Sequence, residues 1–252
     1  MGKIHVCALG HGKPIVLVHG WAMHSGVWGD FAKHLSRSYR VICIDLPGHG
    51  QSVGEHEYTL ANICKALVDA IDEPACCWLG WSLGATIVLE VARRYPSRVN
   101  ALLLLAGNPC FINNADWPGV SKVVLSAFTH DLEHNQDRTI LRFLSLQSNG
   151  SKPILKQLKL ALSMHEPPQA KALLAGLSIL QNSDLRAWLP AISCPMAVIL
   201  GALDPLVPSH VGLALKKIAP DIKLTSIGQG GHLPFLSHEQ EVITAINNFL
   251  DA

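Results

Sequence analysis

The chain has 252 residues, of which 49% are apolar and 15% are charged, and its formal net charge is +1. This composition supports a large hydrophobic core and argues against a disordered chain. The near-neutral charge gives no indication of a nucleic-acid or membrane-surface protein, and no apolar run reaches the roughly 18 residues of a membrane span.

The first hundred residues alternate apolar strands with helical segments, which predicts an α/β fold with a mostly parallel, doubly wound sheet. Two strands, 3–9 and 14–19, flank Gly10–Lys13 and are predicted to form a hairpin. The remaining elements in this part are strands near 40–45, 76–81 and 99–106, helices at 27–38 and 59–72, and a buried helix after Ser82.

The alternation stops at Gly107. Four helical segments and no strand pattern follow, so we expect residues 108–189 to form a helical lid inserted into an α/β core of residues 1–107 and 190–252. The helices are predicted near 119–132, 137–148, 152–164 and 168–181. The sheet resumes with strands at 195–201 and 222–227, and a helix at 238–250 ends the chain.

Gly80-x-Ser82-x-Gly84 lies between a buried strand and a buried helix, as in a nucleophile elbow. The serine hydroxyl is exposed at such a corner, and glycines are required because a Cβ would collide with the neighbouring strand or helix. The helix begins at the serine, so the N–H of Leu83 is predicted to stabilise an oxyanion.

The loop after the second strand, His19-Gly20-Trp21, would supply a second oxyanion donor from the N–H of Trp21. Asp45 and His49 follow the third strand and are alternative catalytic candidates. We interpret both as stabilising their turn-rich loop.

Asp204 follows the resumed strand, and His232 lies in a glycine-rich loop after the last one. The order Ser82, Asp204, His232 is that of the α/β-hydrolase catalytic triad, with serine as nucleophile, histidine as general base and aspartate as its orienting partner. Serine rather than aspartate at position 82 argues against an alkyl-enzyme mechanism.

The seven cysteines are odd in number and lie mostly in apolar, strand-like runs. Together with an N-terminus that lacks a signal-peptide pattern, they predict reduced thiols in the cytoplasm. None of the thirteen histidines has a familiar metal-ligand spacing, so no metal is expected.

The chain resembles the pimeloyl–acyl-carrier-protein methyl ester esterases of biotin synthesis, a family of the α/β-hydrolase superfamily, over nearly its whole length. The core motifs are general to the superfamily, whereas the lid motifs 108–111, 116–119 and 142–147 and the segment 232–238 are more specific. Glu239 stands where this family often has proline.

The resemblance implies a serine carboxylesterase that removes the methyl ester of pimeloyl–acyl carrier protein through an acyl-enzyme at Ser82, releasing methanol and needing no cofactor. It implies a carrier-protein partner and is compatible with a cytoplasmic monomer. The substrate-contacting residues that it implies are Trp21, Ser82, Leu83, Phe143, Leu144, Ser145, Leu146, Gln147 and His232.

Residues 138–159 carry five cations and no aspartate or glutamate. On helices, Arg138 lies on the face of Arg142, and Lys156 on that of Lys159, which offers a complementary surface to an acidic carrier protein. The family has cations at positions 138, 142 and 159; at 155 this chain has leucine, and Lys156 would substitute. The alternative is an ordinary solvated helix face.

Two further functions stay open. The first is a broad carboxylesterase or a C–C bond hydrolase of the same fold. The second is a ligand receptor without catalytic activity, which the complete triad disfavours.

Overall fold

In the computed structural model, which describes residues 2–251, the chain is built on one seven-stranded sheet in the order β1-β3-β2-β4-β5-β6-β7. β1 is antiparallel to β3, and every other neighbouring pair is parallel, which confirms the predicted fold class. The strands are β1 (Val6–Leu9), β2 (Pro14–Val18), β3 (Arg40–Ile44), β4 (Cys76–Trp81), β5 (Val99–Leu105), β6 (Met196–Gly201) and β7 (Lys223–Ile227).

Ten α-helices lie within the described residues 2–251. They are α1 (Gly29–Leu35), α2 (Leu60–Asp69), α3 (Leu83–Arg94), α4 (Lys122–His134), α5 (Gln136–Gln147), α6 (Lys152–Leu162), α7 (Ala170–Asn182), α8 (Val211–Ile218), α9 (Pro234–Ser237) and α10 (Glu239–Leu250). Short 3-10 helices cover Ser25–Trp28, Pro96–Arg98 and Arg186–Ala191.

The predicted hairpin between the first two strands is wrong. β1 pairs with β3 instead, and β2 lies between β3 and β4 with both neighbours parallel to it. The reason is burial: β2 is apolar throughout and takes two neighbours, whereas β1 is largely exposed and can occupy an edge. The sequence pattern also predicts no helix between β6 and β7, where the structure has α8.

Helices cover the central strands completely. All six residues of β4 and all six of β6 are buried, on both faces of the sheet, as expected for parallel strands between helical layers. α3 packs against β2, β4 and β5, and α10 packs against β6 and β7. This rigid core fixes the positions at which the loops leave the sheet.

The parallel register brings the carboxyl ends of the central strands to one edge. Val18 of β2 is paired with Gly80 of β4, and Gly201 of β6 is paired with Ile227 of β7. The loops that follow these strands therefore begin side by side.

The four helices α4–α7 lie between β5 and β6 in the chain. α4 packs against α5 and α7, α5 packs against α6, and α7 packs against α3 of the core. Their bounds agree with the predicted helices to within three residues.

Across residues 2–251, no helix has both the length and the apolarity needed to cross a membrane.

Candidate active site

Ser82 occupies a strained corner between β4 and α3. It has φ +56° and ψ −116°, a conformation that non-glycine residues rarely adopt, and its N–H donates to the carbonyl of Leu105 at 3.0 Å. A Cβ at Gly80 would collide with the backbone of Gly84, and a Cβ at Gly84 would collide with the carbonyl of Val18. The two glycines therefore allow the corner to form, as expected from the sequence.

His232 lies between Ser82 and Asp204. Its Nε2 is 2.9 Å from Ser82 Oγ, and its Nδ1 is 2.8 Å from Asp204 Oδ2. Because an ionised carboxylate only accepts hydrogen bonds, Nδ1 carries the proton, and Nε2 is left to accept from the serine hydroxyl. His232 is fully buried, and Ser82 and Asp204 are nearly so. These side chains have the geometry of a nucleophile, a base and an orienting carboxylate.

Asp204 is held by the turn in which it lies. Its Oδ1 accepts from the N–H groups of Leu206 at 2.8 Å and Val207 at 3.0 Å, which leaves Oδ2 for His232. The N–H of Leu203 donates to the carbonyl of Gly230 at 2.9 Å and ties this turn to the histidine loop. Three donors therefore satisfy the hydrogen-bonding capacity of this buried carboxylate.

Trp21 and Leu83, the predicted oxyanion residues, are both buried beneath α7. A Cβ on Gly176 of α7 would lie 2.8 Å from the indole of Trp21 and 3.1 Å from the side chain of Leu83. The indole N–H of Trp21 also donates to the carbonyl of Leu173 on the same helix, at 2.9 Å. α7 thus packs against both predicted oxyanion residues.

A second hydrogen bond connects the core loop to the inserted helices. Nε2–H of His24 donates to the carbonyl of Ala161 on α6 at 2.7 Å, while its Nδ1 accepts from the N–H of Gly26 at 3.0 Å. Both acceptors on the inserted helices, Ala161 and Leu173, are backbone carbonyls.

An apolar cavity of about 540 Å³ opens at Ser82. The rings of Trp21, Phe128 and Phe143 pack together in its wall, with Trp21 and Phe143 edge to face at 4.9 Å between centroids. Its lining residues are Trp21, Ser82, Phe111, Val120, Val124, Leu125, Phe128, Arg142, Phe143, Ser145, Leu146, Leu177, Leu180 and Leu206. A more open recess of about 580 Å³ between β7 and α10 contains none of the three catalytic candidates.

The structure brings only part of the predicted substrate set to this cavity. Phe143, Ser145 and Leu146 line it, but Leu144 and Gln147 lie on the buried face of α5 and do not. Sequence reasoning missed the lining residues from α4 and α7. Their apolar spacing indicates a buried helix face, but it does not distinguish the wall of a cavity from ordinary core.

The cations predicted to dock a carrier protein are exposed on α5 and α6. Arg142, however, forms an ion pair with Asp131 of α4 at 2.7 Å, and its guanidinium lies 5.9 Å from the ring centroid of Phe128. Asp131 precedes the acid-free segment in sequence, so the segment alone overstated the unpaired positive charge. Arg138, Lys156 and Lys159 are exposed cations of this surface.

Asp45 joins two core loops. Its Oδ1 accepts from the N–H of Ser25 at 2.6 Å, and its Oδ2 accepts from the N–H of Gln51 at 2.9 Å. Burial by itself raises the pKa of this carboxyl, but the N–H donors of Gln51 and Ser25 hold it below its usual value. These contacts agree with the interpretation of Asp45 as a loop-stabilising residue.

His19 and His49 are buried and neutral. Nδ1–H of His19 donates to the carbonyl of Gly20, and its Nε2 accepts from the N–H of Leu46 at 3.0 Å, so both nitrogens are used by the uncharged ring. Burial, with His49 beside it, lowers the pKa of His19 well below its usual range. Burial lowers the pKa of His49 to about 4.

Within the part of the chain that the structure describes, residues 2–251, no three His, Cys, Asp or Glu side chains are grouped so as to hold a metal ion.

The comparisons with known proteins agree with this geometry. The sequence profile of the α/β hydrolase fold matches residues 13–239. The chain is 38% identical to the pimeloyl-[acyl-carrier protein] methyl ester esterase of Methylococcus capsulatus, over 96% of both chains. It is 37% identical to the protein of that name from Serratia marcescens, over the full length of both. The chain belongs to this esterase family, within the α/β hydrolases.

Family membership is accompanied by a close structural likeness. An esterase from Exiguobacterium antarcticum matches the whole chain and covers 96% of its own length, with a TM-score of 0.90 at 21% identity. At that identity the likeness shows the fold alone. The family's sequence relatives, not its structural neighbours, therefore carry the functional argument.

The strain at Ser82 predicts an unusual order of stabilities. Ser82→Gly should be more stable than Ser82→Ala by about 1 kcal/mol or more, because only glycine adopts this φ and ψ freely. Urea unfolding of both variants measures the difference. The matched pair at Ser126, an exposed position inside α4, should show the reverse order, since a helix favours alanine over glycine. Alanine equal to glycine at position 82 would show that the corner is unstrained.

The neutral histidines predict a loss of stability in weak acid. Below pH 6.5 these two histidines become protonated in the unfolded chain but stay neutral in the folded one. The free energy of unfolding should therefore fall by roughly 1.4 kcal/mol per pH unit for each histidine. For His49 the fall continues to its folded pKa of about 4. Urea unfolding between pH 5.5 and 4.5, where unfolded histidines are largely protonated, measures the slope, and His49→Asn should reduce it by about one proton. His11→Asn, at an exposed position, should leave it unchanged; an equal effect would contradict the assignment.

Proposed function

We propose that the chain hydrolyses the methyl ester of pimeloyl-[acyl-carrier protein], giving methanol and the free pimeloyl carboxylate. The observation that carries the proposal is the contact between Ser82 Oγ and His232 at the mouth of an apolar cavity. The identity of the substrate is supported by the relatives at 36–38% identity, which are named for this activity.

In the first half-reaction Ser82 is the nucleophile. As its Oγ attacks the ester carbonyl carbon, Nε2 of His232 takes the hydroxyl proton, and Asp204 stabilises the resulting imidazolium through Nδ1–H. The tetrahedral intermediate then collapses, and His232 gives the proton to the departing methoxide. Methanol leaves, and the pimeloyl group is bound to Ser82 as an ester.

The oxyanion of the intermediate would be held by the N–H groups of Trp21 and Leu83. Leu83 is the first residue of α3, so its N–H also benefits from the positive end of the helix dipole. One such donor is typically worth about 10²–10³ in rate. Water then attacks the acyl-enzyme with His232 as base, and the second intermediate uses the same two donors. It collapses as the bond to Ser82 Oγ breaks, His232 returns the proton to that oxygen, and the pimeloyl carboxylate is released. These steps need only protein groups and water.

The cavity at Ser82 suits the acyl part of this substrate. A pimeloyl chain presents a run of methylene groups, and each one buried contributes about 0.8 kcal/mol. Phe143 and Leu146 on α5 and Leu177 on α7 offer it apolar walls. We therefore assign α4–α7, within residues 108–189, the role of a lid that forms the acyl site over the core of residues 1–107 and 190–252.

The carrier protein itself would dock on the lid. Arg138 on α5 and Lys156 and Lys159 on α6 are exposed, and a carrier protein rich in carboxylates would find them complementary. Arg142 is the least available of the predicted docking cations because Asp131 already pairs with it, but it lines the cavity mouth. The cytoplasmic location and the monomeric state stay predictions. The monomeric state is supported by the catalytic candidates, all of which come from one chain.

The decisive experiment is mass spectrometry of pimeloyl-[acyl-carrier protein] methyl ester after incubation with the protein. We expect loss of the methyl group with the thioester intact, and no turnover by Ser82→Ala. Dimethyl pimelate is the small-molecule control. If the protein cleaves that diester but leaves the carrier-bound ester intact, the assignment as an esterase stands and the proposed substrate is wrong. Turnover by Ser82→Ala would overturn the mechanism.

The docking surface predicts a selective effect of charge. Arg138→Glu with Lys159→Glu should lower kcat/KM for the carrier-bound ester about tenfold at low ionic strength, and added salt should reduce the difference. Hydrolysis of dimethyl pimelate should not change. Lys13→Glu with Lys217→Glu, at exposed positions outside the lid, changes the net charge equally and should have little effect. Equal losses in the two double variants would contradict a docking role.

A further inference from the structure

The side chain of Trp81 connects three loops of the site. It is the last residue of β4, directly before Ser82, and it is completely buried. Its indole N–H donates to the backbone carbonyl of His232 at 2.9 Å. A Cβ on Gly20, in the loop that carries Trp21, would lie only 2.9 Å from the indole ring.

The contact with His232 spans 151 residues of sequence and reaches the end of a glycine-rich loop. Gly228, Gly230 and Gly231 precede the histidine, and glycine restricts the backbone less than any other residue. Across residues 2–251, the indole of Trp81 is the one hydrogen-bond partner of the His232 backbone. Leu203 and Ile227 bind this loop at Gly230, and Trp81 binds it at the backbone of His232 itself, the residue whose imidazole Asp204 holds at Nδ1.

We propose that the indole N–H of Trp81 is a positioning group for the general base, setting the distance from Nε2 of His232 to Oγ of Ser82. The proposal rests on the proposed function only in taking His232 as the base. The ring reinforces the hydrogen bond, since Trp81 packs against His232 at 5.7 Å and edge to face with Phe235 at 5.2 Å between ring centroids. Both contacts lie on the chain segment that follows the glycines.

The competing explanation is that Trp81 is a core residue whose N–H simply needs a partner, as buried indoles usually do. Trp78, three residues earlier on β4, is the matched case. It is equally buried, and its indole N–H donates to the carbonyl of Arg98 at 3.0 Å, in the chain segment between α3 and β5. A purely structural role predicts the same consequences for losing either donor.

The test compares Trp81→Phe with Trp78→Phe, using a reactive p-nitrophenyl phosphonate that labels the serine whatever the natural substrate is. Trp81→Phe should label at least about tenfold more slowly, since a shift of the base by around 1 Å can cost about a hundredfold. Trp78→Phe should stay within about twofold of the unmodified chain. With dimethyl pimelate, the loss in Trp81→Phe should be in kcat with KM little changed.

A spectroscopic signature accompanies the kinetics. The strongly deshielded proton between His232 Nδ1 and Asp204 should broaden or vanish from the ¹H spectrum of Trp81→Phe and persist in that of Trp78→Phe. Equal labelling rates, or an unchanged proton signal in both variants, would overturn the proposal. If Trp81→Phe does not fold, a benzothienylalanine at position 81 or at position 78, which keeps the shape of the indole and lacks only its N–H, repeats the comparison. A failure to cleave the carrier-bound ester would leave this test unaffected.

Discussion

The close contact of three backbones at Ser82 is the constraint on which the rest of the structure depends. β2, β4 and the first turn of α3 meet where a single Cβ on Gly80 or Gly84 would separate them. The sheet holds the serine in a conformation that it would not adopt alone, and the hydrogen bond to Leu105 fixes it to β5 as well. A nucleophile prepared in this way loses no further rotational freedom in the backbone during the reaction.

The same edge of the sheet brings residues that are distant in sequence close together. Each parallel strand ends beside its neighbours, so one loop per strand delivers one group: Trp21 from β2, Ser82 from β4, Asp204 from β6 and His232 from β7. Cross-loop hydrogen bonds then remove the remaining freedom, because Leu203 binds Gly230 and Trp81 binds His232. The buried carboxylate of Asp204 is tolerated because three hydrogen-bond donors surround it.

The three catalytic candidates that the structure brings together could be found in the sequence because each one follows an apolar strand and lies near glycines. The antiparallel pairing of β1 with β3 could not be predicted, because the turn residues between β1 and β2 favour a local hairpin and the true partner strand follows only after β2 and α1. The wall of the cavity could not be predicted either. The apolar positions of α4 and α7 repeat like those of a core helix, and only the packing of these helices leaves a space. Asp131 illustrates a third limit, since the charge of Arg142 is balanced by a residue on another helix.

Two of the hydrogen bonds that attach the inserted helices to the core end on atoms that every amino acid possesses. Trp21 and His24 extend from the core and bind the carbonyl oxygens of Leu173 and Ala161, so the inserted helices contribute backbone and not side chains to these attachments. The hydrogen bonds themselves place no demand on the side chains of Leu173 and Ala161, whereas Leu177 and Leu180, about one and two turns further along α7, line the cavity. Substitutions at these two leucines can therefore alter what the cavity accepts while the hydrogen bond from Trp21 to α7 persists.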